Sequence, residues 1–154
     1  MILYHFTSAT FLPSIQKEGL TRGEVPLSPR QVMNGVWLTT DPNPEGHGLS
    51  NGEELSESTI RELQSRGLLA KDIPTDKPLR WADKRSARIT IVLPSTDRAL
   101  KHWPKWSRRR LHPDWYSALT DAGGGKQKAN SWYVCFRTIS PAEFKSVEVL
   151  RDPS

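Results

Sequence analysis

The chain holds one cysteine, Cys135, so no internal disulfide can form. It lies in the apolar run "WYVCF", the setting of a buried, unreactive thiol. No apolar stretch approaches the roughly 20 residues that span a bilayer. The N-terminus lacks the basic segment, apolar run and small-residue cleavage site of a secretory signal. These absences point to a cytoplasmic protein with no membrane partner. Nucleotide and hydrolase signatures are missing as well: there is no G-x-x-x-x-G-K-[ST], no G-x-G-x-x-G and no H-E-x-x-H. No strand–turn–helix elbow presents a serine. The histidines at 5, 47, 102 and 112 and the lone cysteine show no metal-ligand spacing, which argues against a metal site. "GGGK" (123–126) has no strand leading into it and reads as a mobile loop rather than a phosphate cradle.

A length of 154 residues fits one domain, 1–154, with a modest core. Charge is unevenly spread. Residues 1–75 carry six Lys/Arg against nine Asp/Glu, and residues 76–154 carry sixteen against eight. The basic half contains "KHWPKWSRRR" (101–110), with five cations, no carboxylate and two tryptophans. Such a segment attracts polyanions, and its indoles offer surfaces on which bases stack. The competing reading is a solvated loop whose tryptophans fold back onto the core.

"ILYHFT" (2–7) alternates like a strand. Ser8 or Thr10 then caps a helix whose stripe is Phe11, Leu12 and Ile15 and whose stop is Gly19. Residues 21–34 read as a polar loop and "GVWLTT" (35–40) as the second strand. "DPNPEGHG" (41–48) is irregular. A helix is expected over 56–66, a loop over 73–78, a strand over 87–94, a short helix from Ser95 and a helix from Pro113 to the glycines. Strands close the chain at 131–139 and 145–150. Helices and strands mix without a βαβ rhythm. The fold class expected is therefore α+β, a bent, largely antiparallel split sheet with short flanking helices.

Alternation puts His5 and Thr7 on one face of the first strand, with Tyr4 and Phe6 on the other. With the following helix covering Tyr4 and Phe6, His5 and Thr7 face a cleft. Trp37 and Thr39 share a face of the second strand in the same way. One aromatic wall and several short polar hooks are the general form of a small-molecule pocket. Taken singly, each of these residues is also at home in a structural role.

The stretches "YHFTS", "FLPSIQKEGL" and "GVWLTTDP" resemble the N-terminal unit of the ADP-ribosyltransferase-like superfamily. The likeness is strongest to small phage-related and toxin-type transferases that modify nucleic acid, and RNA 2′-phosphotransferases share that core. The resemblance covers roughly the first 42 residues. It implies NAD held between strands, with His5, Thr7, Trp37 and Thr39 as the binding set. His5 would contact the nicotinamide-side ribose, Thr7 would support that end, and Trp37 or Thr39 would meet the nicotinamide. The family's third motif is a carboxylate that steadies the cationic ribose. "SWYVCFRTI" holds none, which leaves Glu45, Glu143 and Glu148. The catalytic set expected is His5, Thr39 and Glu45. Arg88, Lys101, Trp103, Lys105, Trp106, Arg108, Arg109, Arg110 and Trp132 would hold a DNA or RNA acceptor. The function implied is transfer of ADP-ribose from NAD to nucleic acid with release of nicotinamide, in a toxin or phage-defence setting where an antitoxin or inhibitor protein is a further partner. The alternative is a non-catalytic nucleic-acid-binding or inhibitor protein of such a system.

Overall fold

The structure is a computed structural model describing residues 1–73 and 76–152. Residues 74 and 75 of the loop expected over 73–78 lie outside that set. The β-branched run of β5 (Ala87–Val92) pairs along its whole length with β1 (Ile2–Thr7), Leu3 opposite Ile91 and His5 opposite Ile89. β8 (Phe144–Val149) flanks β5. On the other side of β1 lie β4 (Val36–Thr39), β7 (Trp132–Cys135) and β6 (Leu100–His102). The sheet order is β6-β7-β4-β1-β5-β8, and every pair is antiparallel. The α+β class with a mainly antiparallel sheet and short helices is thus observed. No helix among the described residues is long and apolar enough to cross a membrane.

Both faces of the sheet are packed. Leu3, Ile89, Ile91, Leu38 and Cys135 form one core with Leu12 of α1 (Leu12–Glu18), against which Ile15 packs. Trp103, Trp132, Val134 and Val25 anchor the other, with α3 (Trp103–Arg108) and α4 (Pro113–Ala122) over it. The helix after β1 therefore covers the face of His5 and Thr7, not that of Tyr4 and Phe6 as the sequence suggested. Leu3 is in phase with His5 and Thr7, and its neighbours Ala87, Ile89 and Ile91 are wholly buried. That continuous apolar strip outweighs the aromatic pair, and α1 follows it. Gly19 ends α1 at φ 85°, where a Cβ would lie 2.3 Å from the Ile139 carbonyl oxygen. The turn brings Leu20 into a two-way backbone bridge with Ile139, at 2.9 and 3.0 Å.

Three local expectations are corrected. Residues 21–34 are a hairpin, β2 (Glu24–Ser28) and β3 (Gln31–Asn34), rather than a loop. Pro26 is tolerated because the pairing shifts beside it. The indole N–H groups of Trp37 and Trp115 donate to the carbonyls of Glu24 and Pro26, at 2.8 and 3.2 Å. Ser95 opens hydrogen-bonded turns, not a helix. The basic segment 101–110 folds into β6 and α3, because Trp103 is drawn wholly into the core. α2 (Glu57–Ser65), capped by Ser56, lies where the sequence placed it.

Arg137 ties the sheet's connections together. It donates to Asp97 at 2.7 Å and to Glu143 at 2.6 Å, joining the turn before β6 to the turn before β8. The guanidinium holds both carboxyls below their ordinary range. Depressed carboxyl values supply stability that is complete above the unfolded pKa, about 4, and is lost as pH falls through the folded values. Arg137→Gln should cost roughly 1–2 kcal/mol at neutral pH, after allowance for solvent screening. Urea denaturation between about pH 7 and pH 2 should show that cost shrinking as the carboxyls protonate.

Candidate functional site

A single residue pair, Tyr4 with Thr39, registers β1 against β4. Across the split beyond it, the His5 imidazole takes the Trp37 carbonyl oxygen at 2.8 Å through Nδ1. A carbonyl only accepts, so Nδ1 carries the proton. Burial pushes the His5 pKa down, against the raising effect of that carbonyl. A neutral imidazole protonated at Nδ1 leaves Nε2 as a bare acceptor. It meets no protein partner among the described residues, yet it is not sealed from solvent.

A cavity of about 250 Å³ opens beside this split. Its walls are Phe6, Trp37, Trp103, Trp132, Leu49 and Leu119, and its polar side chains are His5, Thr39 and His47 with the half-buried Tyr4. Among the described residues, no Asp, Glu, Lys or Arg lines it. Trp37 meets Trp103 at 4.7 Å and 62°, and Trp132 at 6.1 Å and 82°, both edge to face. Trp103 is wholly buried and its indole N–H has no partner. An orphaned buried donor costs about 1–3 kcal/mol.

The expected binding set is only partly gathered. His5, Trp37 and Thr39 line the cavity. Thr7 does not; it is buried on the α1 face opposite Ala87. The Thr39 hydroxyl bonds Ser131 Oγ at 2.8 Å and accepts the Asp41 N–H at 3.0 Å, so it mainly closes the turn after β4. Glu45 pairs with Arg85 outside the cavity lining. Glu143 belongs to the Arg137 clamp, and Glu148 pairs with Arg88 at 2.7 Å. Arg88 also donates to the Pro42 carbonyl and lies on β5, with β1, β4 and β7 between it and β6.

The basic segment divides. Trp103 and Trp132 belong to the cavity wall, not to an exterior stacking surface. Trp106 is half-buried between Phe136 at 4.9 Å and the Arg110 guanidinium at 4.7 Å. Lys105, Arg108, Arg109 and Arg110 are exposed, Lys101 is half-buried, and none of the five has a carboxylate partner among the described residues. This face offers charge to a phosphate backbone, with little open indole surface for bases.

Sequence reasoning missed His47. Its loop (41–48) and the glycines at 123–125 pack on each other. A Cβ on Gly48 would lie 2.2 Å from the Ala122 carbonyl oxygen, and one on Gly124 1.8 Å from that of Gly46. The glycine run is thus a packed turn, not the mobile loop expected. Two glycine-rich stretches in one short chain were the available signal. No family model, curated protein or solved structure matches the chain.

Gly123 gives the site its sharpest steric test. A Cβ there would lie 1.8 Å from the Trp132 ring. Gly123→Ala should cost roughly 1–3 kcal/mol by denaturant titration and should shift tryptophan emission as the indole is displaced.

Proposed function

We propose that the chain has an ADP-ribosyltransferase-like fold and transfers ADP-ribose from NAD to a nucleic acid. The observation that carries this reading is the β1/β4 split, bridged by His5 and opening on an aromatic cavity. A cavity of about 250 Å³ falls just short of the volume that encloses a drug-sized ligand. It suits the nicotinamide end of NAD, with the rest of the dinucleotide along the mouth. The His5 Nε2 lone pair supplies an acceptor, which fits a ribose hydroxyl or the carboxamide N–H.

In the reaction, the bond between nicotinamide and ribose C1′ breaks, nicotinamide leaves with the electron pair, and the acceptor atom bonds C1′ as it gives up a proton. His5 orients the ribose through Nε2, while Trp37, Trp103 and Trp132 exclude water around the ring. Glu45 is the carboxylate for the cationic ribose. It shares a loop with His47, its side chain is 55% exposed, and it must leave the Arg85 guanidinium to reach the ribose. Lys105, Arg108, Arg109 and Arg110 hold the acceptor's phosphates. A cytoplasmic toxin or defence role, with an inhibitor protein as partner, is consistent with this chemistry.

Incubation with labelled NAD and DNA, RNA and protein acceptors tests the reading. Label on nucleic acid with nicotinamide release is expected; neither label transfer nor nicotinamide release contradicts it. His5→Asn separates chemistry from folding, because an Asn amide can still donate to the Trp37 carbonyl while the Nε2 acceptor is gone. We expect kcat/KM to fall roughly tenfold to hundredfold with the melting temperature nearly kept.

One observation favours a second reading: among the described residues, the cavity lining holds no carboxylate. A non-catalytic nucleic-acid-binding protein would need none. It predicts nucleic-acid binding indifferent to NAD. Either reading predicts that log affinity falls linearly with log salt. Replacing Arg108, Arg109 and Arg110 together with Gln should lower that slope by about 2–3 in a fluorescence-anisotropy titration.

A further inference from the structure

The loop residue His47 has both ring nitrogens committed. Nδ1 lies 3.0 Å from the Trp132 indole nitrogen, which can only donate, so Nδ1 is bare. Nε2 then carries the proton and donates to Asp41 Oδ2 at 3.1 Å. The same carboxylate accepts Lys128 Nζ at 2.8 Å and, through Oδ1, the Asn43 N–H at 3.0 Å. A loop, α5 (Lys126–Ala129) and β7 thus converge on one tautomer of one imidazole. The beneficiary is Trp132, whose ring forms part of the cavity wall.

We infer that His47 is a positioning residue for the ligand cavity, acting through Trp132: neutral, it fixes the indole as one wall of the ring slot, and protonated it releases it. The inference rests on the reading of the cavity as a ligand site. A second proton on His47 must go to Nδ1, where it faces the Trp132 N–H, donor against donor. The indole cannot retreat, because Gly123 already lies against its outer edge without room for a Cβ. The open cavity, on the side of Trp37, is the space left for it to enter. The charged groups at His47 are Asp41 on its own loop and Lys128 on α5. From β1 the stacked neighbour is Phe6, at 6.3 Å, and His5 and Tyr4 are the other titratable groups lining the cavity. Burial, with Lys128 nearby, keeps His47 neutral further into acid than a free imidazole, against the pull of Asp41. The release therefore comes below about pH 6.5.

His5 also titrates in the cavity, so the pH readout is taken on the Trp132 indole, assigned by Trp132→Phe in ¹H–¹⁵N spectra. Glutamine carries a donor and an acceptor on one planar group and takes up no proton. In the wild type, the Trp132 indole signal should shift on acidification with a midpoint below about pH 6.5. In His47→Gln that shift should vanish, and NAD affinity at pH 7.5, measured by calorimetry, should stay within about threefold of wild type. His47→Ala should bind NAD about tenfold more weakly, the loss expected for one hydrogen bond. A folded His47→Ala with wild-type affinity overturns the inference, as does an unchanged indole titration in His47→Gln. If the wild type binds no NAD, the proposed function falls and the indole titration alone decides the role of His47.

Discussion

The site depends on one hydrogen bond, from His5 Nδ1 to the carbonyl oxygen of Trp37. β1 and β4 are neighbours in the sheet but share a single registered residue pair. Two strands that part inside a sheet leave backbone groups to be satisfied by something else. Here a side chain does it, and that choice fixes the tautomer of His5, turns Nε2 out as an acceptor and leaves an opening between strands. An alkyl side chain at this position could not bridge the gap, and a lysine would carry its charge into a wall of indoles.

The same economy runs through the cavity. Trp37 spends its N–H on the β2 carbonyl of Glu24, and Trp132 spends its own on His47. Trp103 alone keeps an unpaired N–H. Polar capacity in the aromatic wall is thus nearly all consumed by the protein; what remains is the sealed Trp103 N–H and the His5 Nε2 acceptor. On the proposed function, such a site would select its ligand by ring shape and by the His5 acceptor rather than by charge. Charge is kept outside, on the exposed face of α3 and the turn after it, where no carboxylate among the described residues pairs with it.

The alternation of 2–7, 35–40 and 87–94 made the central strands legible, and Gly19 marked the end of α1. The mixed, antiparallel character followed from the absence of a βαβ rhythm. Which face α1 would cover was not legible, because Leu3 had to be weighed with Ala87, Ile89 and Ile91, a strand some eighty residues away. The hairpin at 24–34 was hidden by Pro26, which is acceptable only because the pairing shifts beside it and side-chain indoles take the carbonyls of β2. Of the cavity lining, alternation paired Trp37 with Thr39; His5 was expected with Thr7 on the face that α1 covers, and it meets the lining only at the split between β1 and β4. His47 was not, since its role comes from a tertiary meeting of two glycine-rich segments. The tryptophans of 101–110 were read as surface, but burial of Trp103 turns that helix inward and leaves only its cations outside.

Soaking crystals of the protein with NAD and locating the nicotinamide ring tests the central claim most directly. The account predicts the ring between Trp37, Trp103 and Trp132, with a polar atom of the ligand within hydrogen-bond distance of His5 Nε2. NAD bound elsewhere on the surface, or a cavity filled only by water at saturating NAD, would contradict it.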